Sequence, residues 1–314
     1  MYKKTSGFIP VMLTPFRESG QVDYEGLGRL TEFYLKSGAA GLFANCLSSE
    51  MFELSASEQL EVVSYIVECT SHAVPVVATA TFGGSIDHQA DYVKRMYDTG
   101  IDSAIVITNM LAGRMDTETK FESNVHELMG KTEGIPLGFY ECPDPFKRVL
   151  SAEVLGRLVD TGRVTYHKDT SLDIDSVRAK LNVTADNPAF GLYDAYMVNA
   201  VESLKAGAAG LSCIQGNYYP ELVVWLCRHY DDPVYQSEVQ LVQQFFIDHM
   251  EVMHHAYPVV AKYFLKLRGL EIGAFTRRPG DAFGVSEQQA MKKLQQDFAM
   301  LAEKVDYHIL TKVK

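Results

Sequence analysis

These 314 residues contain no CxxC pair, no glycine-rich phosphate turn and no apolar run of membrane-spanning length, and each absence removes a class of function. The five cysteines, Cys46, Cys69, Cys142, Cys213 and Cys227, are odd in number and widely spaced, which fits neither a disulfide framework nor a zinc site. Without GxGxxG or GxxxxGK[ST], the common dinucleotide and nucleoside triphosphate folds lose their phosphate cradle. Positive charge is also scarce: 29 Lys and Arg stand against 40 Asp and Glu, for a formal net charge of -11. Nucleic acid and anionic membrane surfaces would be repelled at long range, so neither is an expected partner. No stretch approaches the ~20 apolar residues of a spanning helix. The opening MYKKTSGFIPVM carries a short apolar run broken by Pro10, unlike a secretory leader. A soluble protein of a reducing cytoplasm, without metal or organic cofactor, is expected.

What is present is an alternation. Short apolar runs at Phe8–Met12, Gly41–Asn45, Pro75–Thr79, Ala104–Thr108, Leu137–Tyr140, Thr165–Lys168, Ala189–Tyr193 and Gly210–Cys213 are separated by longer amphipathic stretches. Tyr24–Lys36, Ser57–Cys69 and Asp87–Asp98 exemplify the helices, with Ser57 and Asp87 as expected caps. Eight βα units predict an α/β fold with a parallel sheet. An open doubly wound sheet usually carries a phosphate turn after its first strand, whereas Thr14-Pro15-Phe16 stands there. The closed (β/α)8 TIM barrel is therefore the better reading. From about residue 232 the strands stop. Tyr235–His255, Pro258–Leu267 and Ser286–Tyr307 read as helices, broken by Pro279 and Gly280. The expected division is residues 1–231 as catalytic barrel and 232–314 as a C-terminal helical appendage.

Catalytic groups of such barrels sit at the C-terminal ends of strands. Strand five ends at Tyr140 and strand six at Lys168. Adjacent strands lie about 4.8 Å apart, so a phenol and an amine would meet at the barrel mouth. Desolvation there favours the neutral amine that attacks a carbonyl, and a tyrosine can move protons to and from the carbinolamine. An arbitrary strand-end lysine more often pairs with solvent or with a neighbour such as Asp169.

A series of motifs tips that balance. Thr14-Pro15-Phe16 with Gly20 and Asp23 comes first, then Cys46-Leu47-Ser48-Ser49-Glu50 with Leu54-Ser55 and Glu58. Tyr140-Glu141-Cys142-Pro143, Lys168-Asp169-Thr170-Ser171, Gly207-Ala208-Ala209-Gly210 with Ser212, Asn217 and Pro220, and finally Gly269–Pro279 ending in Arg277-Arg278-Pro279 complete it. In this order and spacing the chain resembles the dihydrodipicolinate synthase and N-acetylneuraminate lyase family, over most of its length. The resemblance implies a class I lyase, an aldolase or dehydratase acting on pyruvate or a 2-keto-3-deoxy acid. Lys168 would form the Schiff base and Tyr140 would relay protons. Ser48, with nearby backbone N–H groups, would hold the substrate carboxylate. Ser49, Glu141 and Tyr196 are further candidate substrate contacts, with Asp194 beside the last. The resemblance also implies a homotetramer or homodimer.

Departures from the pattern set limits. Leu47 replaces the first hydroxyl residue, and Asn109-Met110-Leu111 stands where the family often has Pro-Tyr-Tyr. Asp144-Pro145-Phe146 follows the tyrosine where the synthase has an arginine that binds a second carboxylate. These losses argue against dihydrodipicolinate synthesis itself. They also leave an alternative open, a catalytically impaired barrel that binds 2-keto acids or regulates. Spacings of five and one among His249, His254 and His255 do not suit a metal site, and alternation along the strand turns His167 away from the barrel interior.

Overall fold

The computed structural model describes residues 4–278 and 283–305. Eight strands, β1 (Gly7–Phe8), β2 (Leu42–Ala44), β3 (Val76–Thr79), β4 (Ser103–Ile107), β5 (Leu137–Tyr140), β6 (Val164–Asp169), β7 (Gly191–Asp194) and β8 (Gly210–Leu211), form one parallel sheet. Strand β1 pairs with β8, and the order runs back through the others to β2. The chain after β1 closes the ring: Val11 bridges Phe43, and Met12 N–H donates to the Phe43 carbonyl. Closure requires Gly210, because a Cβ there would stand 1.7 Å from the Gly7 carbonyl oxygen. The fold is the (β/α)8 barrel that the alternation predicts.

The helices are α1 (Tyr24–Lys36), α2 (Ala56–Thr70), α3 (Ile86–Tyr97), the short α4 (Thr108–Leu111), α5 (Glu118–Lys131), α6 (Ala152–Asp160), α7 (Ile174–Thr184), α8 (Ala200–Lys205) and α9 (Pro220–His229). The caps differ from expectation. Ser55, not Ser57, caps α2, and Ser85, not Asp87, caps α3. In each case the serine with extended backbone accepts the N–H three residues on, whereas Ser57 and Asp87 already lie inside their helices. Ser55 and Glu58 complete a reciprocal box, with Ser55 N–H donating to the Glu58 carboxylate at 2.9 Å.

Beyond α9 follow α10 (Gln236–Asp248), α11 (Met250–His254), α12 (Val259–Leu267) and α13 (Val285–Lys304). Pro279, Gly280 and the residues after Val305 lie outside the described residues. Val242, Phe246, Phe264 and Leu294 from these helices join the same buried cluster as Leu222 and Leu226 of α9. The expected boundary at 231/232 therefore divides the chain by element type while one core runs across it.

Two buried layers result from strand alternation. Ile9, Val11, Phe43, Val77, Ile105, Tyr140, Tyr166 and Tyr193 fill the barrel interior. Leu, Val and Phe side chains of the opposite strand faces pack against the helices. Tyr166 and Tyr193 stack at 4.6 Å between centroids beneath the mouth. Two residues beyond Tyr166 on the same inward face comes Lys168.

Candidate active site

Lys168 and Tyr140 are register partners at the ends of β6 and β5. Their side chains are 4% and 3% exposed, and the Lys168 Nζ lies 4.4 Å from the centre of the Tyr140 ring. Phe43 contributes a second ring at 5.9 Å. No carboxylate is recorded in an ion pair with Lys168 among the described residues. Burial lowers the pKa of its ammonium from the usual 10.5, opposed only by the neighbouring thiols of Cys46, Cys142 and Cys213. Burial also raises the Tyr140 phenol well above its ordinary value, with the contacting Cys142 thiol adding to the shift. Burial thus favours the amine form of Lys168 beside a phenol that keeps its proton, an arrangement suited to carbonyl addition.

Above this pair opens a cavity of about 1110 Å³. Leu47, Ser48, Tyr140, Lys168, Thr170 and Tyr196 line its floor and sides, and Tyr257, Pro258, Thr276 and Arg278 come from the appendage. Ser48 lies on a 3-10 turn, Leu47–Ser49, shortly after β2, and lines the cavity. Tyr196 follows β7, and its backbone N–H is anchored 2.8 Å from Asp194 Oδ1.

Two expected contacts are corrected by position. Ser49 does not line the cavity: its Oγ donates to the Met12 carbonyl at 2.7 Å and accepts from Cys46 N–H at 3.0 Å. Its neighbour Ser48 faces the cavity because the tight turn sends successive side chains in different directions. Glu141 is also absent from the cavity wall. It points outward from the barrel, where its carboxylate accepts from Leu150 N–H and Thr170 N–H, each at 3.0 Å, and from the Lys180 ammonium at 2.6 Å.

That outward cluster gathers four buried ionisable side chains, Glu141, His167, Asp169 and Lys180. Lys180 Nζ on α7 also donates to Asp169 Oδ2 at 2.6 Å, and His167 Nε2 lies 3.3 Å from Glu141 Oε1. Glu141, His167 and Asp169 converge closely enough to hold a metal ion. The Lys180 ammonium already bonds both carboxylates, so the place of a cation is taken. His249 and His254 bond helix carbonyls of Phe245 and Met250 in the manner of packing residues.

The departures noted in the sequence also find places. Asn109, in α4, spends its amide on the carbonyls of Cys142, Asp144 and Phe146, bracing the segment after Tyr140. Arg148 is directed to the carbonyls of Gly113 and Asp116. Lys147 lines the cavity and donates to the Thr170 carbonyl at 2.7 Å. Arg278 also lines it, with Asp144 at 3.7 Å.

Glu50, fully buried, ties the appendage to the site. It pairs with Lys262 of α12, and its Oε2 accepts from Thr276 Oγ1 at 2.7 Å and from Arg277 and Arg278 N–H at 2.6 and 2.9 Å. Arg277 continues the clamp to the Glu58 carboxylate at 2.6 Å and over the Phe16 ring at 4.6 Å.

Sequence reading missed Tyr257. It falls in the gap between two expected helices, and its one signal is a tyrosine immediately before Pro258 where helical periodicity lapses. Its hydroxyl accepts from Asn217 Nδ2 at 2.6 Å.

Known proteins share the fold of this chain. The 4-hydroxy-tetrahydrodipicolinate synthase of Methanothrix thermoacetophila is 25% identical over 278 residues, covering 88% of each chain. That of Hyphomonas neptunium is 27% identical over 264 residues, covering 84% of this chain and 88% of its own. A monomeric dihydrodipicolinate synthase variant superposes with a TM-score of 0.86 at 19% identity, covering 95% of this chain and 98% of its own. A prophage protein of the dihydrodipicolinic acid synthase family from E. coli K12, solved in complex with pyruvate, gives 0.84 at 20% identity, covering 94% and 98%. The model of the Dihydrodipicolinate synthetase family matches residues 4–298, and the chain belongs to that family, as an enzyme of the lyase class.

Proposed function

We propose that the protein is a class I lyase that forms a Schiff base between Lys168 and the keto group of pyruvate or a 2-keto-3-deoxy acid. One observation carries the reading: the Lys168 amine is buried at the base of the cavity beside the Tyr140 phenol, with its ammonium form disfavoured by burial. The neutral amine attacks the keto carbon, and the Tyr140 hydroxyl delivers a proton to the departing oxygen as water leaves. The resulting iminium withdraws electrons from the adjacent carbon. In the aldolase direction that carbon loses a proton, adds to an aldehyde, and the product is released by hydrolysis of the imine. In a dehydratase the same electron sink assists loss of a hydroxyl one carbon further along. Ser48 holds the keto acid carboxylate and Tyr196 contacts the remainder of the substrate.

The second substrate follows from the mouth. Arg278 is offset by Asp144, and Lys147 is a point charge already donating to a carbonyl. Neither offers the free guanidinium fork that suits a carboxylate. The cavity has room well beyond a three-carbon keto acid. This supports a polyhydroxylated aldehyde or sugar acid over aspartate semialdehyde, and hence a protein that is a poor dihydrodipicolinate synthase. Assembly as a homotetramer or homodimer, in the cytoplasm, belongs to the same proposal. Light scattering showing only a monomer at micromolar concentration would contradict the assembly.

Borohydride reduction in the presence of pyruvate, followed by peptide mapping, tests the Schiff base. A single pyruvate-derived adduct on Lys168 is expected. An adduct on another lysine, or none with any 2-keto acid, overturns the reading and leaves the catalytically impaired barrel as the better account.

A further inference from the structure

Gln215 borders the cavity but has no place in the chemistry described so far. It lies on the turn Ile214–Asn217 that follows β8 and is only 1% exposed. Its backbone carbonyl serves the turn, accepting from Tyr218 N–H at 3.0 Å. Its side-chain carbonyl oxygen has no hydrogen-bond partner, and no bond of the side-chain amide is recorded, among the described residues. Asn217, on the same turn, differs: its amide is used inside the protein, donating to the Val11 carbonyl at 3.0 Å and accepting from the Tyr34 hydroxyl. An enclosed amide without a protein partner costs stability. On a cavity wall, a ligand that completes its hydrogen bonds accounts for it.

The appendage covers this turn. The Tyr218 hydroxyl donates to the Met253 carbonyl at 2.7 Å, which seats α11 against it. Asp248, at the end of α10, and Glu251 and His254, on α11, line the same cavity. The Glu251 carboxylate has no recorded hydrogen bond or ion pair among the described residues, and Asp248 accepts only from Gln244 Nε2, at 2.7 Å. His254 Nδ1 lies 2.7 Å from the Met250 carbonyl, so it carries the proton, and the neutral ring keeps Nε2 as an acceptor. The cations that line the cavity come from elsewhere. Lys168 lies at its floor, Lys147 donates to the Thr170 carbonyl after β6, and Arg278 lies by Asp144 after β5.

The side built by the β8 turn and α11 therefore selects its ligand by charge and by hydrogen-bond type. Carboxylates only accept, and an amide both donates and accepts. A hydroxyl can satisfy either. A phosphate or carboxylate placed there would meet two like charges instead. We infer that Gln215, Asp248 and Glu251 form a subsite for the uncharged, hydroxyl-bearing end of the substrate, and that this subsite discriminates against a phosphate or a second carboxylate at that end. The inference rests on the Schiff-base reading and adds to it how the part of the substrate remote from Lys168 is recognised.

The test uses three acids without a keto group, gluconate, glucarate and 6-phosphogluconate. They share a hydroxylated chain with one carboxylate and differ at the far carbon, which bears a hydroxyl, a carboxylate or a phosphate. None can form an imine, so each is read as an inhibitor of the borohydride-trapped pyruvate adduct on Lys168. In the wild-type protein gluconate should inhibit at a concentration about tenfold or more below the other two. Gln215→Met keeps the length of the side chain and removes both polar atoms. It should raise the inhibition constant of gluconate about fivefold or more, while the half-saturating concentration of pyruvate, which carries no hydroxyl chain, stays within about twofold. Its denaturation midpoint should not fall, because no protein hydrogen bond is lost. Glu251→Gln with Asp248→Asn should narrow the gap between gluconate and 6-phosphogluconate to about threefold or less. Both of those residues are exposed, so this arm holds even where the Gln215 variant folds poorly.

Equal inhibition by the three acids, or inhibition by none, overturns the inference. So does a Gln215→Met protein that binds gluconate as well as wild type, or one whose denaturation midpoint falls, which would make Gln215 a structural residue. Tightest binding of 6-phosphogluconate overturns it too, by moving recognition to Lys147 and Arg278. Absence of any pyruvate adduct in the wild-type protein defeats the Schiff-base reading itself, whereas these failures beside a normal adduct defeat this inference alone.

Discussion

Lys168 and Lys180 are two buried lysines on neighbouring elements, and the protein treats them in opposite ways. Lys168 faces into the barrel among Phe43, Tyr140 and three thiols. Lys180 faces the outer side of the same strand pair, between the Glu141 and Asp169 carboxylates. Burial pushes both pKa values down, but the two carboxylates outweigh burial at Lys180 and raise its value. At Lys168 only the neighbouring thiols oppose burial, and the value is lowered. One strand makes this separation possible: His167 and Asp169 point outward to join the charged cluster while Lys168, between them, points inward. Similar burial therefore disfavours the ammonium form on one side, while on the other the carboxylates favour it.

The comparison can be broken from either side, most severely at Lys168. Lys168→Ala should abolish the borohydride-trapped pyruvate adduct, which intact mass would show directly. Lys180→Met should leave two carboxylates buried without their cation and cost about 3–5 kcal/mol of stability, read by chemical denaturation. A smaller effect would mean that water reaches the cluster. Acid should attack the same cluster with a defined sign. Burial opposes ionisation of Asp169, but His167 and Lys180 hold its carboxyl well below the ordinary range. Its stabilising contribution is complete above the unfolded value near 3.8 and fades only as pH falls through the lower folded value.

Asp194 should behave with the opposite sign. Burial raises its carboxyl from 3.8 to about 7, and its Oδ2 has no hydrogen-bond partner. The protonated form is favoured in the folded state, so this group's contribution is complete below pH 3.8 and is lost as pH rises toward 7. Asp194→Asn mimics the protonated form. It should reduce the loss of stability with rising pH across that window by up to about 1.4 kcal/mol per pH unit, measured by denaturation at several pH values. The smallest effect is expected for Lys168→Met, which removes no ionic partner and keeps the volume. Its stability should lie within about 1 kcal/mol of wild type, in contrast with Lys180→Met.

Much of this arrangement was legible in the sequence, for physical reasons that differ between residues. The barrel was readable because eight apolar runs alternate with amphipathic stretches, and α1 matches its expected span, Tyr24–Lys36. The meeting of Lys168 and Tyr140 was readable because Tyr140 closes β5 and Lys168 is the last residue but one of β6, where side-chain direction follows from a two-residue period. Ser49 and Glu141 were misplaced because they lie just past strand ends, in a 3-10 turn and a loop, where no period fixes direction. Other motif residues turned out to be structural. Ser55 and Glu58 form the cap of α2, and Arg277 clamps Glu58 to the Phe16 ring. The partnership of Glu50 with Lys262 spans 212 positions, and no local pattern announces such a contact. The place of Tyr257 on the cavity wall was invisible for the same reason, since its hydroxyl is bonded to Asn217, 40 positions earlier.

The central claim is that burial, with no carboxylate paired to oppose it, lowers the pKa of the Lys168 ammonium and so favours the amine that would attack a keto group. The direct measurement is the initial rate of pyruvate adduct formation on Lys168 as a function of pH, by timed borohydride quenching and peptide mass. The rate should climb with pH as the ammonium gives up its proton and level off below the ordinary lysine value of 10.5. A rate still rising through pH 10.5, or an adduct that forms on a different lysine, would contradict the account.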